Sequence, residues 1–543
     1  MIALVFSVLI SLCLFYLGWC LWTIVIYHWL FSPIQQLPGP VLQRFFSTNL
    51  QFVMEPEMSP HYHDKWESVY GKTFCIHGFG KAIILPELDP RILTLDPKAM
   101  THVLNEPITY PKPWQSRRLI SELIGNGLFS AEGASHRRQR KVLNPAFSNH
   151  NLQSFGPLFT SQVFKLRDAW KALLGKEREV SIDVAHWFSR ATFDVIGIAG
   201  FDYHFNALEA ESNPVYLAYR EMFQVGVDDG FTARSILEVY LPILKKIWPD
   251  KRTNTIRRSH DIIYGVGRQL LERRKKELEE DRRTSLHTKD LLGLMIFSNL
   301  SPDITEDQRI SDQDMLDEIN SFFFAGSDST SLALSWTLYL LATTPEAQTR
   351  LRKEVLSLDA DASFKAIDAL TFLDKCCREE LRLIPPVHSS LRVADRDDIL
   401  PLSTSIQLRN GEVVDQVHVP KGTCIHIPIE GFNLLSSVWG PDAHRFNPDR
   451  WDNLPSAVKD QPGLYSNLMT FSGGPRGCIG MRFSIMEMKI FLFQLVRSFE
   501  FVAKEKVVKR NVVLTRPFVL GKRRSQLPII IRMVDSRDEG TTL

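Results

Sequence analysis

No aspartate, glutamate, lysine or arginine occurs before Arg44. From Ile2 to about Leu30 the chain is almost wholly apolar, and about 20 such residues suffice to cross a bilayer as a helix. The same lack of charge argues against a cleaved signal peptide, which needs a basic start and an apolar core of about 7–15 residues. Trp19, Trp22, Tyr27 and Trp29 crowd the second half of the run, as an interfacial aromatic belt does. A transmembrane anchor is therefore expected over residues 1–31. Leu37-Pro38-Gly39-Pro40 cannot continue a helix, so residues 32–44 are expected to form a stiff hinge.

Other scarcities narrow the class. Seven cysteines in 543 residues show no framework spacing, which excludes a disulfide-stapled fold and reads as a reduced, cytosol-facing protein. Neither sign of charge is in excess: 64 basic and 62 acidic residues leave +2, so nothing points to nucleic acid. No Pro/Gly/Ser-rich linker cuts the interior, so residues 45–543 are expected to form one domain. Strands and helices do not alternate, which disfavours a parallel Rossmann-type sheet. Gly71-Lys72-Thr73 lacks the upstream glycine of a phosphate loop, because Trp66 stands there. Gly78-Phe79-Gly80 lacks its third glycine and any following helix. His61-Tyr62-His63 has no partner pair at metal-ligand spacing and is expected at the surface. Asn299-Leu300-Ser301 is a glycosylation sequon that matters only on a lumenal face.

What is present is mostly helical. Thr73–Ile76 and Lys81–Leu85 flank a turn and suggest a hairpin. Ser405–Leu408 and Val413–Val419 flank Asn410-Gly411, a strong tight-turn pair. Val512–Val519 and Leu527–Met533 suggest a last strand pair, and Glu272–Arg283 a solvated helix face. A long helix is expected from about Asp314 to Leu341, opened by a capping box at Ser311 and Asp314.

The informative stretch is Phe471-Ser472-Gly473-Gly474-Pro475-Arg476-Gly477-Cys478-Ile479-Gly480. A single cysteine is more often a small buried hydrophobe than a ligand. Here three glycines and a proline let the backbone approach something flat, and Arg476 offers fixed donors for a carboxylate. A helix is expected from Met481 to about Val496, so Cys478 would sit just before its N-terminus, where N–H groups and the dipole favour a thiolate.

This loop resembles that of the cytochrome P450 family. It fills every fixed position of the signature Phe-x-x-Gly-x-Arg-x-Cys-x-Gly with Phe471, Gly474, Arg476, Cys478 and Gly480. Three further motifs follow in the family's order. The resemblance implies a mainly α fold with small β-sheets (α+β), preceded by one transmembrane helix. It implies haem b, its iron bound axially by the Cys478 thiolate.

In the long helix, Phe324-Ala325-Gly326-Ser327-Asp328-Ser329-Thr330 matches the family's oxygen-binding groove. The resemblance implies that Ala325 and Gly326 leave room over the iron and that Asp328 and a neighbouring hydroxyl relay protons. The family most often has Thr where Ser329 stands, and Thr330 points about 100° away, so either hydroxyl can serve. Glu379 and Arg382 share a helix face, and with Arg450 of Phe446-Asn447-Pro448-Asp449-Arg450-Trp451 they match a structural network behind the haem. His136 and Arg140 stand where the family has an aromatic, usually Trp, and an Arg that meet a haem propionate. Arg392 matches another propionate ligand. Arg137, Arg138 and Lys141 would be left for a basic face toward an acidic electron-transfer partner.

The reaction implied is insertion of one atom of O2 into a C–H bond of a lipophilic small-molecule substrate. Its electrons would come from NADPH through a separate NADPH-dependent cytochrome P450 reductase, because no flavin or nicotinamide motif is present. Leu119–Phe129, Phe201–Trp248, Phe322–Ala325 and Val387–Leu391 are the expected pocket segments. His136 and the long anchor are similar to fungal secondary-metabolism members, which suggests a terpenoid. The expected location is the endoplasmic reticulum membrane, single-pass, with the catalytic domain facing the cytosol. A haem-thiolate isomerase or dehydratase would disturb the acid–alcohol pair or the cysteine loop, and neither is disturbed. A non-catalytic membrane-tethered haem-binding protein would have no use for Asp328 in an apolar helix.

Overall fold

The computed structural model describes residues 32–41, 48–78, 90–228, 233–281 and 290–534, with scattered positions before residue 23. Apart from those positions the expected anchor lies outside the described residues. Among the described residues no helix is long and apolar enough to cross a membrane. The expected strand Lys81–Leu85 also lies outside them. The chain forms two compact units, each assembled from segments distant in sequence.

The first unit takes its described residues from Met1–Pro113, Ser389–His444 and Pro455–Arg476. Its four-stranded sheet runs in the order Thr73–His77, Pro90–Thr94, Cys424–Ile427, Ser390–Val393, and only the middle pairing is parallel. The partner of Thr73–His77 is thus Pro90–Thr94. Asp398–Gln407 and Val413–Val419 form the expected hairpin, with Gly411 at φ +90° in the turn. Its register shifts between Pro401 and Ile406. Asp96 holds that irregular stretch: its carboxylate caps the Pro97–Asn105 helix and also accepts from the Ser403 amide (2.9 Å) and hydroxyl (2.6 Å). The proline segment is docked here rather than free. Leu37 is buried, its carbonyl accepts from Arg409 Nε (3.0 Å), and Pro38 O accepts from Cys75 N (2.8 Å). Any side chain at Gly39 would collide with Cys75 O. His61 is exposed as expected, but His63 is buried, packed so that a Cβ on Gly431 would strike its ring.

The second unit comprises Trp114–His388, Arg445–Leu454 and Gly477–Leu543. The Asp312–Thr343 helix runs through it, and Ser311 and Asp314 form the expected capping box, satisfying N-terminal amides that would otherwise lack partners. Nearly every residue from Met315 to Leu338 is buried, polar ones included, so the helix shows no single apolar stripe. It packs on Val184–Phe201 and on Met481–Ser498. The last strands do not pair as expected. Leu514–Val519 folds back on Val507–Val512, while Pro528–Met533 pairs with Glu179–Asp183 and Phe499–Val502. The reversal falls at Val513 with φ +63°, a conformation that β-branched residues rarely adopt, so no turn signal marks it. Asn299 of the sequon is buried, and its amide is spent on the backbone of Ile310 (2.8 and 3.0 Å).

Candidate active site

The Met481–Ser498 helix places Cys478 two residues before its N-cap, Gly480. The amides of Gly480 and Met481 both favour the thiolate, as does the Arg140 guanidinium. Burial outweighs them and pushes the Cys478 thiol up. The helix terminus acts in the expected direction, its two amides favouring the thiolate against the cost of burial. Cys478 nonetheless keeps an exposed side. Protein surrounds the sulfur while the residue as a whole stays open on one side. A Cβ on Gly480 would likewise meet nothing within 4 Å.

Arg140 and His136 lie one turn apart on the Gly133–Leu143 helix, His136 buried and Arg140 half-buried. Arg140 Nη1 donates to Gly477 O (2.7 Å) and Nε to Asn144 Oδ1 (2.9 Å), so this arginine fixes the backbone immediately before the cysteine. Burial lowers the Arg140 pKa and proximity to Cys478 raises it. Arg137 and Arg138 are exposed, and so is Lys141, which donates to Gln308 Oε1 (2.6 Å).

Ala325 is exposed in a helix whose other residues are almost all buried, and Ser329, one turn on, is partly so. These two positions mark an open strip. Gly326 does not share Ala325's role: a Cβ there would meet Ile196 Cδ1 at 2.7 Å, so its smallness serves helix packing. Ser329 Oγ donates to Ala325 O (2.8 Å) within the strip, whereas Thr330 Oγ1 turns to Ser484 Oγ (3.2 Å) on the helix that follows the cysteine. Of the two candidate hydroxyls, only Ser329 faces open space. Asp328 is buried, and its Oδ2 accepts from Arg516 Nη2 at 2.6 Å. Neither Ser484 nor Arg516 was expected. Each arrives from a distant segment with no local motif to mark it.

Glu379 and Arg382 are fully buried on Thr371–Leu383. Arg382 makes a fork on Glu379 (Nη2–Oε1 2.7 Å, Nε–Oε2 3.0 Å), and Arg450 Nε joins at 3.2 Å. The Asn447 amide and Trp451 Nε1 complete the set at 3.1 and 3.2 Å. The three expected members therefore come together, with Trp451 as an unforeseen fourth.

Phe471, Gly474, Arg476 and Arg392 belong to the first unit. Phe471 is buried edge-on to Tyr465, and Asn433 clamps the preceding turn through Met469 N (2.9 Å) and Thr470 Oγ1 (2.8 Å). Gly474 has φ +64°, and a Cβ there would meet Leu104 O at 2.5 Å, so no other residue fits. Arg476 is half-buried. Arg392 is buried and donates to Ser390 Oγ (2.6 Å) and Leu391 O (2.8 Å).

Within the second unit the donor set suits a flat, iron-bearing group: a cysteine with an open side, a glycine beside it with nothing before it, and the basic side chains of the Gly133–Leu143 helix. Among the described residues no cluster of three or more His, Cys, Asp or Glu side chains offers another metal site.

Comparison with known proteins agrees. The family model described as cytochrome P450 matches residues 37–529. A protein named cytochrome P450 monooxygenase 128, from Postia placenta, is 38% identical over 517 residues, covering 92% of this chain and 93% of that protein. Cytochrome P450 monooxygenase 205 of the same fungus is 36% identical over 515 residues, covering 92% and 93%. Cytochrome P450 monooxygenase claW of Ampulloclitocybe clavipes is 31% identical over 519 residues, covering 93% and 94%.

Proposed function

This chain belongs to the cytochrome P450 family, and on that premise we propose that Cys478 is the axial ligand of a monooxygenase acting on a lipophilic, terpenoid-like substrate. The family's members are oxidoreductases that bind haem b through a cysteine thiolate. Bound haem supplies the dioxygen chemistry, and the protein supplies ligation, shape and protons. Cys478, open on one side at a helix N-terminus, is the observation that carries the assignment.

Within this reading Arg140 keeps Gly477 and hence the sulfur in place. His136, Arg476 and Arg392 are the donors for the propionates. Ser329 Oγ holds the proton to be delivered on the open side, and Asp328 restores it. Glu379, Arg382 and Arg450 are structural and keep the support of the cysteine loop rigid. Phe324 lies between Phe223, stacked at 4.7 Å, and Phe129, edge-on at 6.3 Å, next to the open side of Ala325. This aromatic wall supports a lipophilic, ring-containing substrate.

Electrons come from NADPH through a separate reductase that docks on the exposed basic residues Arg137 and Arg138. The apolar run from Ile2 to Leu30 anchors the chain in the endoplasmic reticulum membrane, with the catalytic domain in the cytosol. A second apolar surface supports membrane contact: Leu241, Ile243, Ile247 and Trp248 are exposed beside Lys245 and Lys246. The test is conversion of a terpenoid panel by membranes carrying the chain and a fungal reductase. Product that requires NADPH, reductase and O2 together supports the reading. Product independent of all three would mean a rearrangement and would refute it.

A further inference from the structure

The loop that joins the Trp114–Ile124 helix to the Gly133–Leu143 helix is fastened to one stretch of the Asp312–Thr343 helix. Asp317 Oδ2 accepts from Asn126 N and Glu318 Oε1 from Leu128 N, both at 2.8 Å. Asn320 Nδ2 donates to Leu123 O (3.2 Å) and Ser321 Oγ to Ile124 O (3.4 Å). His260 Nε2 donates to Leu123 O (2.9 Å), Gln139 Nε2 to Asn126 O (3.0 Å), and Tyr264 OH to Asp317 Oδ1 (2.7 Å). Two glycines make the approach possible. A Cβ on Gly125, at φ +79°, would meet Tyr264 OH at 2.5 Å, and one on Gly127 would meet Asp317 O at 2.9 Å. The loop carries Phe129, which is 39% exposed and touches Phe324 beside the open side of Ala325.

The clamp has one incomplete member. Glu318 is completely buried, and its Oε2 has no hydrogen-bond partner. No cation faces it. Asp314 and Asp317 lie on its own helix, and the neighbouring helix brings Tyr264 and His260.

We propose that Asp317 and Glu318 are positioning residues for substrate entry, holding the loop with Phe129 closed over the open side of Ala325 and releasing it when Glu318 ionises. The proposal rests on the reading above only in taking that open side as the substrate's. Burial, reinforced by Asp317 and Asp314, pushes the Glu318 carboxyl up to about 8 against the hydrogen bond from Leu128. Once released, the carboxyl would be hydrated and ordinary. The closed loop therefore binds one more proton than the open loop between the ordinary value of 4.5 and about 8. Raising the pH through that window favours opening by about tenfold per unit, and the effect levels off above it.

Hydrogen exchange of the full-length holoprotein tests this, read at the Asn126 and Leu128 amides and corrected for intrinsic rates. Opening should increase about tenfold from pH 6 to 7 and flatten above about 8. Glu318→Gln keeps an acceptor for Leu128 N and should abolish the pH dependence while retaining protection. Glu318→Ala should lose protection at every pH. A wild-type opening constant that does not change with pH, or an unchanged slope in Glu318→Gln, would overturn the proposal. The reduced, carbon-monoxide-bound spectrum of the same samples reports on Cys478 independently, so failure of the clamp and failure of the haem-thiolate reading remain distinct.

Discussion

Glu379 and Glu318 are both completely shielded from water, yet their carboxylates are served very differently. Glu379 accepts from two guanidiniums, an indole and a backbone amide. Glu318 accepts one backbone amide, and its second oxygen has no hydrogen-bond partner. A buried charge survives only when it is paired and hydrogen-bonded, and Glu379 has partners of both kinds. Glu318 has no such partners and keeps its proton instead. The same residue type thus makes a permanent brace in one place and a releasable one in the other.

The largest expected effect breaks the permanent brace. Arg382→Ala leaves Glu379 short of its main cation and should cost roughly 3–5 kcal/mol, measured as a shift of the denaturant midpoint. A loss below about 1 kcal/mol would equate the network with a surface pair. Glu318→Ala should cost less, about 1–3 kcal/mol for the unsatisfied Leu128 amide, and its effect on exchange should concentrate in the loop. A global effect as large as that of Arg382→Ala would erase the contrast.

Glu380 sharpens the comparison with pH. It is buried beside Glu379 with neither oxygen bonded, and burial holds its carboxyl well above the ordinary 4.5. Because the folded value is raised, the folded state retains a proton that the unfolded chain loses. Stability should therefore fall as pH rises above about 4.5, and Glu380→Gln should flatten that fall in thermal melts across pH. An unchanged slope would mean that Glu380 reaches water or a partner in solution.

The smallest effects separate the two hydroxyls. Thr330→Val should cost about 0.5–1.5 kcal/mol through the lost bond to Ser484 and leave product formed per NADPH nearly unchanged. Ser329→Ala should lower that ratio and raise peroxide release with little change in stability. The reverse pattern would assign proton delivery to Thr330.

Much of the site was legible because its chemistry is local. The cysteine loop, the capping box at Ser311, and the Glu379/Arg382 face are each written within a few residues. The Asn410-Gly411 hairpin was legible for the same reason. What escaped depends on pairing across long separations: Arg516 reaches Asp328 over 188 positions, and the clamp joins residues 190 apart. No spacing rule encodes such partners. Gly326 misled because a small residue in a helix reads alike whether it faces a cofactor or a packed Ile196. The Asn299 sequon, which matters only on a lumenal face, is buried with both ends of its amide taken, and the motif does not state that burial. The last strands misled because a valine at φ +63° makes the turn.

The most direct measurement is the absorption spectrum of the reduced, carbon-monoxide-bound full-length protein beside Cys478→Ser. A strongly red-shifted Soret band in the parent that disappears in the variant is the predicted result and fixes Cys478 as the thiolate ligand. A parent without haem, or a Soret band indifferent to the substitution, would contradict the account at its centre.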